Sequence, residues 1–270
     1  LLTDWTSVSE HNTMQVMEAY ITAAKIGKYA TSESGDTLEI IERPGGGISA
    51  VLADGQRSGK SAKAISNIVV RKTISLLAQG VRDGAAARAA SDYLYTYRAG
   101  KVLSTRNILS IDLQSQSLVI TRNNPEPVIL IRDGVIHQFD NPSRAIGTVR
   151  DIRPSIIEIP LEPWLIAIAF TDGLTYAGDR KGKRMDIPSF IEGKMTDDPL
   201  KPETWADKML SCALDLDDNR PSRFGGRHSL SPARDEQSRA RGHFLNPLLS
   251  GQPRRCRWAG ARRCRWAGAR

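Results

Sequence analysis

The hydrophobic pattern of the chain changes its period several times, and each change predicts an element. Apolar residues spaced three and four apart predict helices over 14–29, 61–78, 85–97, 190–194 and 204–214. The clearest is 61–78, whose apolar stripe ends at Gly80. Short apolar runs between turn residues predict strands over 37–41, 47–52, 107–113, 117–121, 128–131, 135–139, 155–159 and 164–170.

The order of these elements predicts an α+β fold. Short turns separate the four strands between residues 107 and 139, which is typical of an antiparallel meander. A hairpin connection over 43–46 joins the first two strands. The helices come in separate pairs rather than alternating with strands, so a layered α+β domain is expected.

The basic charge of the chain lies almost entirely in its last 52 residues. The net charge is +8, but residues 219–270 hold 13 Arg and two acids, whereas residues 1–218 hold 25 basic and 28 acidic groups. The body therefore gives no electrostatic case for a nucleic-acid partner. We expect a helical segment over 1–30, a domain over 31–218 and a disordered tail over 219–270.

The tail ends in an octamer that occurs twice, over 254–261 and 262–269. Two short copies are too few for a repeat fold. One hypothesis is that the tail is an out-of-frame translation of a GC-rich region. The alternative is a natural basic tail for anionic partners such as bases or a membrane surface.

Composition also bears on the cellular setting. The longest apolar run, 164–170, has seven residues, far short of the about 20 that span a bilayer. The N-terminus has no signal-peptide pattern. The three cysteines show neither zinc spacing nor a disulfide framework. These observations favour a cytoplasmic protein.

Two Asp-Gly pairs follow predicted strands. Asp54-Gly55 ends the strand that begins at 47, and Asp172-Gly173 follows the strand over 164–170. Carboxylates at strand ends beside a flexible glycine are well placed to hold a divalent cation, because oxygen ligands suit such ions. Alternatively, the first pair is only an acidic turn before a helix capped by Ser58.

A phosphate-binding loop is a second interpretation of the residues from Gly55 to Ser61. That loop has four residues between its first Gly and the Gly-Lys-Ser, whereas three separate Gly55 from Gly59 here. Asp54 stands where the first Gly belongs, and its carboxylate would repel phosphates. Nucleotide binding is therefore kept as the weaker alternative.

The motifs together resemble a known family. The segment Ala53-Asp54-Gly55-Gln56-x-Ser58-Gly59, the segment 122–125 and the segment 170–174 resemble bacterial metal-dependent serine/threonine phosphatases of the protein phosphatase 2C-like (PPM) group, in particular its stage II sporulation protein E-type branch. The resemblance covers about residues 30–218. It implies a layered α-β-β-α sandwich of two antiparallel sheets packed face to face, with helices outside.

The resemblance also implies a site with two Mn²⁺ or Mg²⁺ ions. Asp54 matches the carboxylate that bridges both ions, and Gly55 matches the backbone carbonyl ligand beside it. Asp172 matches the carboxylate of the second Asp-Gly pair, and Asp36 is a further candidate on the first core strand. The implied reaction is hydrolysis of phosphoserine or phosphothreonine in a regulatory protein, such as an anti-sigma-factor antagonist, by a metal-activated water.

The chain departs from the family pattern at two places. Arg57 stands where the family has Gly, so a positive φ there would strain the loop. The Asp-Asp pair that starts the last core strand is missing after residue 218, while Asp217 and Asp218 are expected to belong to the preceding turn. A second hypothesis is therefore a catalytically impaired protein with the phosphatase fold that only binds a partner.

Overall fold

The computed structural model describes residues 18–26, 33–197, 204–218, 254–258 and 264–266. Within these ranges the chain forms three antiparallel sheets, two of which pack against each other with helices on both outer faces. This arrangement confirms the predicted α+β class and the α-β-β-α layering. No helix in the described part of the chain combines the length and apolarity that a membrane crossing requires.

The first sheet has five strands in the order β2-β3-β4-β5-β8, and every neighbouring pair is antiparallel. The strand bounds are β2 Asp36–Glu42, β3 Gly47–Gly55, β4 Ser104–Asp112, β5 Ser117–Asn123 and β8 Ser155–Pro160. All nine residues of β3 are buried, because the strand lies inside the sheet and is covered on both faces. The predicted hairpin at 43–46 joins β2 to β3, and the Gly46 amide donates to the Arg43 carbonyl at 3.0 Å.

Two long helices cover the outer face of this sheet. They are α1 Gly59–Ala78 and α2 Asp83–Arg98, close to the predicted bounds. Val51 and Ala53 of β3 share one apolar cluster with buried residues of both helices. Since side chains alternate across a strand, Leu52 and Asp54 face the other way, toward the second sheet.

The second sheet has three described strands in the order β7-β6-β9. Their bounds are β6 Val128–Arg132, β7 Val135–Phe139 and β9 Ile166–Ile168. Leu130 packs toward the first sheet with Leu118 and Ile120, while Ile129 packs outward against the later helices. Those helices are α3 Asp172–Thr175, α4 Ile187–Asp197 and α5 Trp205–Leu216, and a short 3-10 turn spans Asp179–Lys181.

The strand predicted over 164–170 is shorter than expected. Trp164 follows Pro163 and has a φ of 65°, a left-handed conformation that ends regular pairing. The strand therefore begins at Ile166 and pairs with β6 alone among the described residues. The predicted loss of a last core strand stays a prediction, because residues 198–203 and 219–253 lie outside the described part.

The helix predicted over 14–29 is wrong where the structure describes it. Residues Glu18–Ile21 form strand β1, which pairs with β10, Arg254–Trp258, and β10 pairs in turn with β11, Cys264–Trp266. Pairing with a distant segment overrides a local helical pattern, which is only a weak preference. Strands β10 and β11 lie within the tail, where the sequence predicts no regular structure. The rest of 219–270 is outside the described residues, as are 1–17 and 27–32.

Candidate metal centre

The hairpin of β2 and β3 brings two of the predicted site residues together. Asp36 begins β2, and its Cα partner across the hairpin is Asp54, next to the end of β3. Directly opposed residues lie on the same face of a sheet. Both carboxylates are buried, with Asp36 0% and Asp54 8% exposed. The acidic pair therefore sits at one end of the inner face, between the two sheets.

The Asp36 carboxylate lacks the partners that a buried charge requires. Neither of its oxygens has a hydrogen-bond donor within the described part of the chain, although the side chain contacts that of Asp54. The pKa of Asp36 is raised to about 6, chiefly by burial and also by the nearby Asp172, against the lowering effects of Lys25, Asp54 and Lys63. A carboxylate acts only as an acceptor, so orphaned oxygens here fit a site for a cation.

Two lysines reach the same strand end. Lys25 and Lys63 both donate from Nζ to the Asp36 backbone carbonyl, the latter at 2.7 Å, and Lys63 also donates to Thr37 Oγ1 at 2.9 Å. The pKa of Lys63 is lowered to about 8, chiefly by burial and also by the neighbouring Lys25. Neither lysine was predicted from the sequence to lie at the site. The signal for Lys63 was that it and Ser66 are polar residues within the apolar stripe of α1.

Close packing explains the glycine after Asp54. A Cβ atom on Gly55 would lie 2.0 Å from the backbone oxygen of Ala62, in the second turn of α1. Only glycine allows this approach. Ser104 Oγ donates to the Asp54 carbonyl at 2.6 Å and fixes the strand end. The role of the Gly55 carbonyl as a metal ligand, which the resemblance implies, stays a prediction.

Arg57 occupies the strained position that the sequence analysis expected. Its φ is 78° and its side chain is exposed. This is the left-handed region, which costs about 1–2 kcal/mol for a residue with a Cβ atom. The following residue, Ser58, takes the N-cap position of α1, as the capping interpretation expects, but its side chain makes no capping hydrogen bond.

Asp172 comes from the other layer of the sandwich. It is the first residue of α3, directly after the N-cap Thr171, and it is half-buried. Its charge raises the pKa of both Asp36 and Glu126, although burial is the largest cause in each case. Asp172 is thus within electrostatic range of the acidic pair on β2 and β3.

These carboxylates do not close into a complete ligand set in the structure. Nowhere among residues 18–26, 33–197, 204–218 and the two tail strands do three or more His, Cys, Asp or Glu side chains come close enough to hold a metal ion. Asp217 and Asp218 contribute elsewhere. Asp217 Oδ1 accepts from the Gly178 amide at 3.0 Å, and Asp218 pairs with Lys181 at 2.5 Å. Both belong to the turn after α5, as expected.

A loop after β5 lies beside Asp172. No role for this loop was predicted from the sequence. The guanidinium of Arg122 donates to the backbone carbonyls of Asn124, at 3.1 Å, and Glu126, at 2.7 Å. Asn124 Nδ2 donates to the carbonyl of Phe170 at 3.1 Å. The segment 122–125 thus contacts the segment 170–174, which are two of the motifs that carry the resemblance.

The fold is a layered α-β-β-α sandwich, and a family profile gives the assignment. The profile for Stage II sporulation protein E (SpoIIE) matches residues 44–222, more than half of the chain. The chain belongs to this family. No curated protein sequence matches it.

Solved structures agree on the fold. A structure of the PP2C phosphatase domain of SpoIIE from Bacillus subtilis, with a fragment of its regulatory domain, is 18% identical with a TM-score of 0.65; the match covers 86% of this chain and 63% of that one. The catalytic domain of the serine threonine protein phosphatase PstP, in complex with 2 manganese ions, is 16% identical with a TM-score of 0.55, covering 74% and 93%.

A third structure contains the RsbU and RsbW domains of a Mycobacterium tuberculosis protein. It is 14% identical to the chain with a TM-score of 0.58, and the match covers 84% of this chain and 58% of that one. At these identities the likenesses show the fold. The chain spans less than two thirds of the first of these structures and of the third.

Proposed function

We propose that the protein is a divalent-metal-dependent phosphatase that removes phosphate from phosphoserine or phosphothreonine in a regulatory protein. The observation that carries the proposal is the Asp36 carboxylate, fully buried and without a hydrogen-bond partner in the described part of the chain. Its side chain contacts that of Asp54, and the charge of Asp172 helps to raise its pKa. Buried like charges are costly unless a cation lies among them.

Three carboxylates and one carbonyl are the ligands that we assign to the metal centre. Asp36, Asp54 and Asp172 would hold two Mn²⁺ or Mg²⁺ ions together with the Gly55 carbonyl. The donor set fits, because both ions prefer oxygen ligands. When bound, such ions lower the pKa of a water and orient a phosphate for in-line attack. The chain itself holds the two strand ends in register and keeps water away from Asp36.

The substrate that we propose is a phosphorylated regulator, such as an anti-sigma-factor antagonist, in the bacterial cytoplasm. The family assignment supports this substrate. So does the similarity in fold to a structure that contains an RsbU domain and an RsbW domain. The body of the chain carries slightly more acidic than basic groups, which does not favour nucleic acid as a partner.

Release of inorganic phosphate from phosphoserine and phosphothreonine peptides tests the proposal. The full chain should release phosphate only when Mn²⁺ or Mg²⁺ is present. Asp172→Asn should lower the rate at least about 100-fold, because it removes one ligand charge. Asp197→Asn is the matched control, since Asp197 is exposed and pairs with Lys194 on α4. Metal-independent release, or equal rates for the two variants, would contradict the assignment.

A protein that only binds a partner is the second candidate, and one observation favours it. Lys25 and Lys63 already bring two ammonium groups to the Asp36 strand end, where they can partly replace a metal's charge. An impaired protein would give no heat of Mn²⁺ binding and no phosphate release, yet would still bind the phosphorylated regulator. Nucleotide binding has less support, because only residues 56–58 lie between β3 and α1.

A further inference from the structure

The loop after β5 contacts both ends of the segment that carries Asp172. We propose that Asn124 and Glu126 act as a clamp that positions Asp172 relative to Asp54. Both are positioning residues that act through the backbone and side chains of 170–175. The proposal rests on the proposed metal centre and assigns a role to the motif at 122–125.

Two side-chain contacts form the clamp. Asn124 Nδ2 donates to the Phe170 carbonyl at 3.1 Å, two residues before Asp172. Thr175 Oγ1 donates to Glu126 Oε2, three residues after Asp172. Asn124 is 1% and Glu126 7% exposed. The Asn124 contact is buried and the Glu126 contact is partly buried, and a hydrogen bond is stronger where water is excluded.

The clamp itself is held rigidly by its own loop. Arg122 donates to the carbonyls of Asn124 and Glu126, and also to that of Pro125 at 3.4 Å. The Glu126 amide donates back to Asn124 Oδ1 at 3.1 Å. A guanidinium with several fixed donors orders such a loop effectively, because its planar fork needs little rearrangement.

The segment that receives the clamp needs this support. Helix α3 has only four residues, Asp172–Thr175, and a single helical turn does not hold itself together. Its internal contacts include the Tyr176 amide donating to the Asp172 carbonyl at 3.0 Å. Anchors at Phe170 and Thr175 therefore set where the Asp172 carboxylate points.

The clamp connects the two parts of the site, Asp54 on β3 and Asp172 on α3. Strand β5 pairs with β4, and β4 pairs with β3 at Asp54. Arg122 on β5 holds the loop, and the loop holds the segment around Asp172. Metal ligands must be placed within a few tenths of an ångström. The distance between the two layers at the site is thus fixed by side-chain contacts and not by the sheets alone.

The test removes the Thr175 hydroxyl without changing the volume of the side chain. Thr175→Val should weaken Mn²⁺ binding by about 10-fold in a calorimetric titration, as loss of an outer contact to a ligand does. Thr175→Ser, which keeps the hydroxyl, should restore binding. Ser143→Ala is the matched control, because Ser143 Oγ donates to the Arg122 carbonyl at 2.7 Å but does not contact 170–175.

Hydrogen exchange in the metal-free protein is the second arm of the test. The amides of Leu174 and Tyr176, which donate within the segment, should exchange about 10-fold faster in Thr175→Val than in wild type and Ser143→Ala. Unchanged exchange would overturn the clamp. If exchange rises but the wild-type chain binds no Mn²⁺, the clamp holds and the proposed function fails. If exchange rises and Mn²⁺ affinity stays within two-fold of wild type, the clamp does not position Asp172 for metal.

Discussion

Two arginines are buried on opposite faces of the first sheet, and they differ in how well they are paired. Arg106 is 1% exposed, and burial lowers its pKa to about 9, well below its ordinary value. It donates to Asn123 Oδ1 and, at 3.5 Å, to Thr73 Oγ1, while its Nε has no partner within the described part of the chain. We expect Arg106→Met to stabilise the protein.

The size of this stabilisation follows from the difference between the pKa of Arg106 in the folded state and its pKa in the unfolded state. That gap corresponds to about 5 kcal/mol against the charged form in the folded state. Because the folded pKa is lowered, both states are charged below pH 9, and the whole penalty applies at neutral pH; it declines as pH rises above about 9. Loss of the donor to Asn123 offsets about 1–3 kcal/mol. A net gain of about 2–4 kcal/mol remains.

Urea unfolding at pH 7 measures this gain. Arg106→Met should raise the free energy of unfolding by about 2–4 kcal/mol without changing the slope against urea concentration. Arg122→Met is the matched control. Arg122 is 2% exposed but donates to several backbone carbonyls, including that of Asn141, so its removal should destabilise. Destabilisation by Arg106→Met of more than about 1 kcal/mol would refute the reasoning, since the charge would then have adequate partners.

Three further predictions concern the site. Arg57→Gly should raise stability by about 1 kcal/mol by relieving the positive φ, whereas Arg57→Ala should not. If the charge of Arg57 also opposes metal binding, Arg57→Gly and Arg57→Ala should both bind Mn²⁺ more tightly in calorimetry. Ala99→Gly is the control, because Ala99 also has a positive φ, of 50°, but is the C-cap of α2; this variant should not bind Mn²⁺ more tightly. Gly55→Ala should lower the thermal midpoint by several degrees, because its Cβ atom meets the Ala62 oxygen. The raised pKa of Asp36 means that the folded, metal-free protein binds more protons than the unfolded chain between about pH 4 and 6. Its stability should therefore fall as pH rises through that range, and Asp36→Asn should abolish this part of the pH dependence.

Periodicity and turn residues predict most of this fold because they act locally. The helix at Gly59–Ala78 and the strand at Val135–Phe139 lie where the pattern places them. The strand at Glu18–Ile21 was not predicted, since its only pairing partner in the described part, Arg254–Trp258, is more than 200 residues away. A local pattern contains no information about such a partner.

The candidate ligands come from the sequence, and their metal-binding role stays a prediction, whereas their environment was not predicted. The Asp-Gly turns identify Asp54 and Asp172, and the hairpin register then places Asp36 opposite Asp54. Lys63 was missed because a lysine near a helix start is usually exposed. The role of Asn124 was missed because it depends on a contact with Phe170, 46 residues later in the sequence.

The central claim is that carboxylates from both layers of the sandwich bind the same divalent metal centre. Crystals grown with Mn²⁺ and measured at the manganese absorption edge test it directly. We expect anomalous peaks between Asp54 and Asp172, with each ligand oxygen about 2.0–2.6 Å from an ion and the two carboxylates within about 7 Å of each other. Peaks elsewhere, or carboxylates that stay well beyond that distance at saturating Mn²⁺, would contradict it.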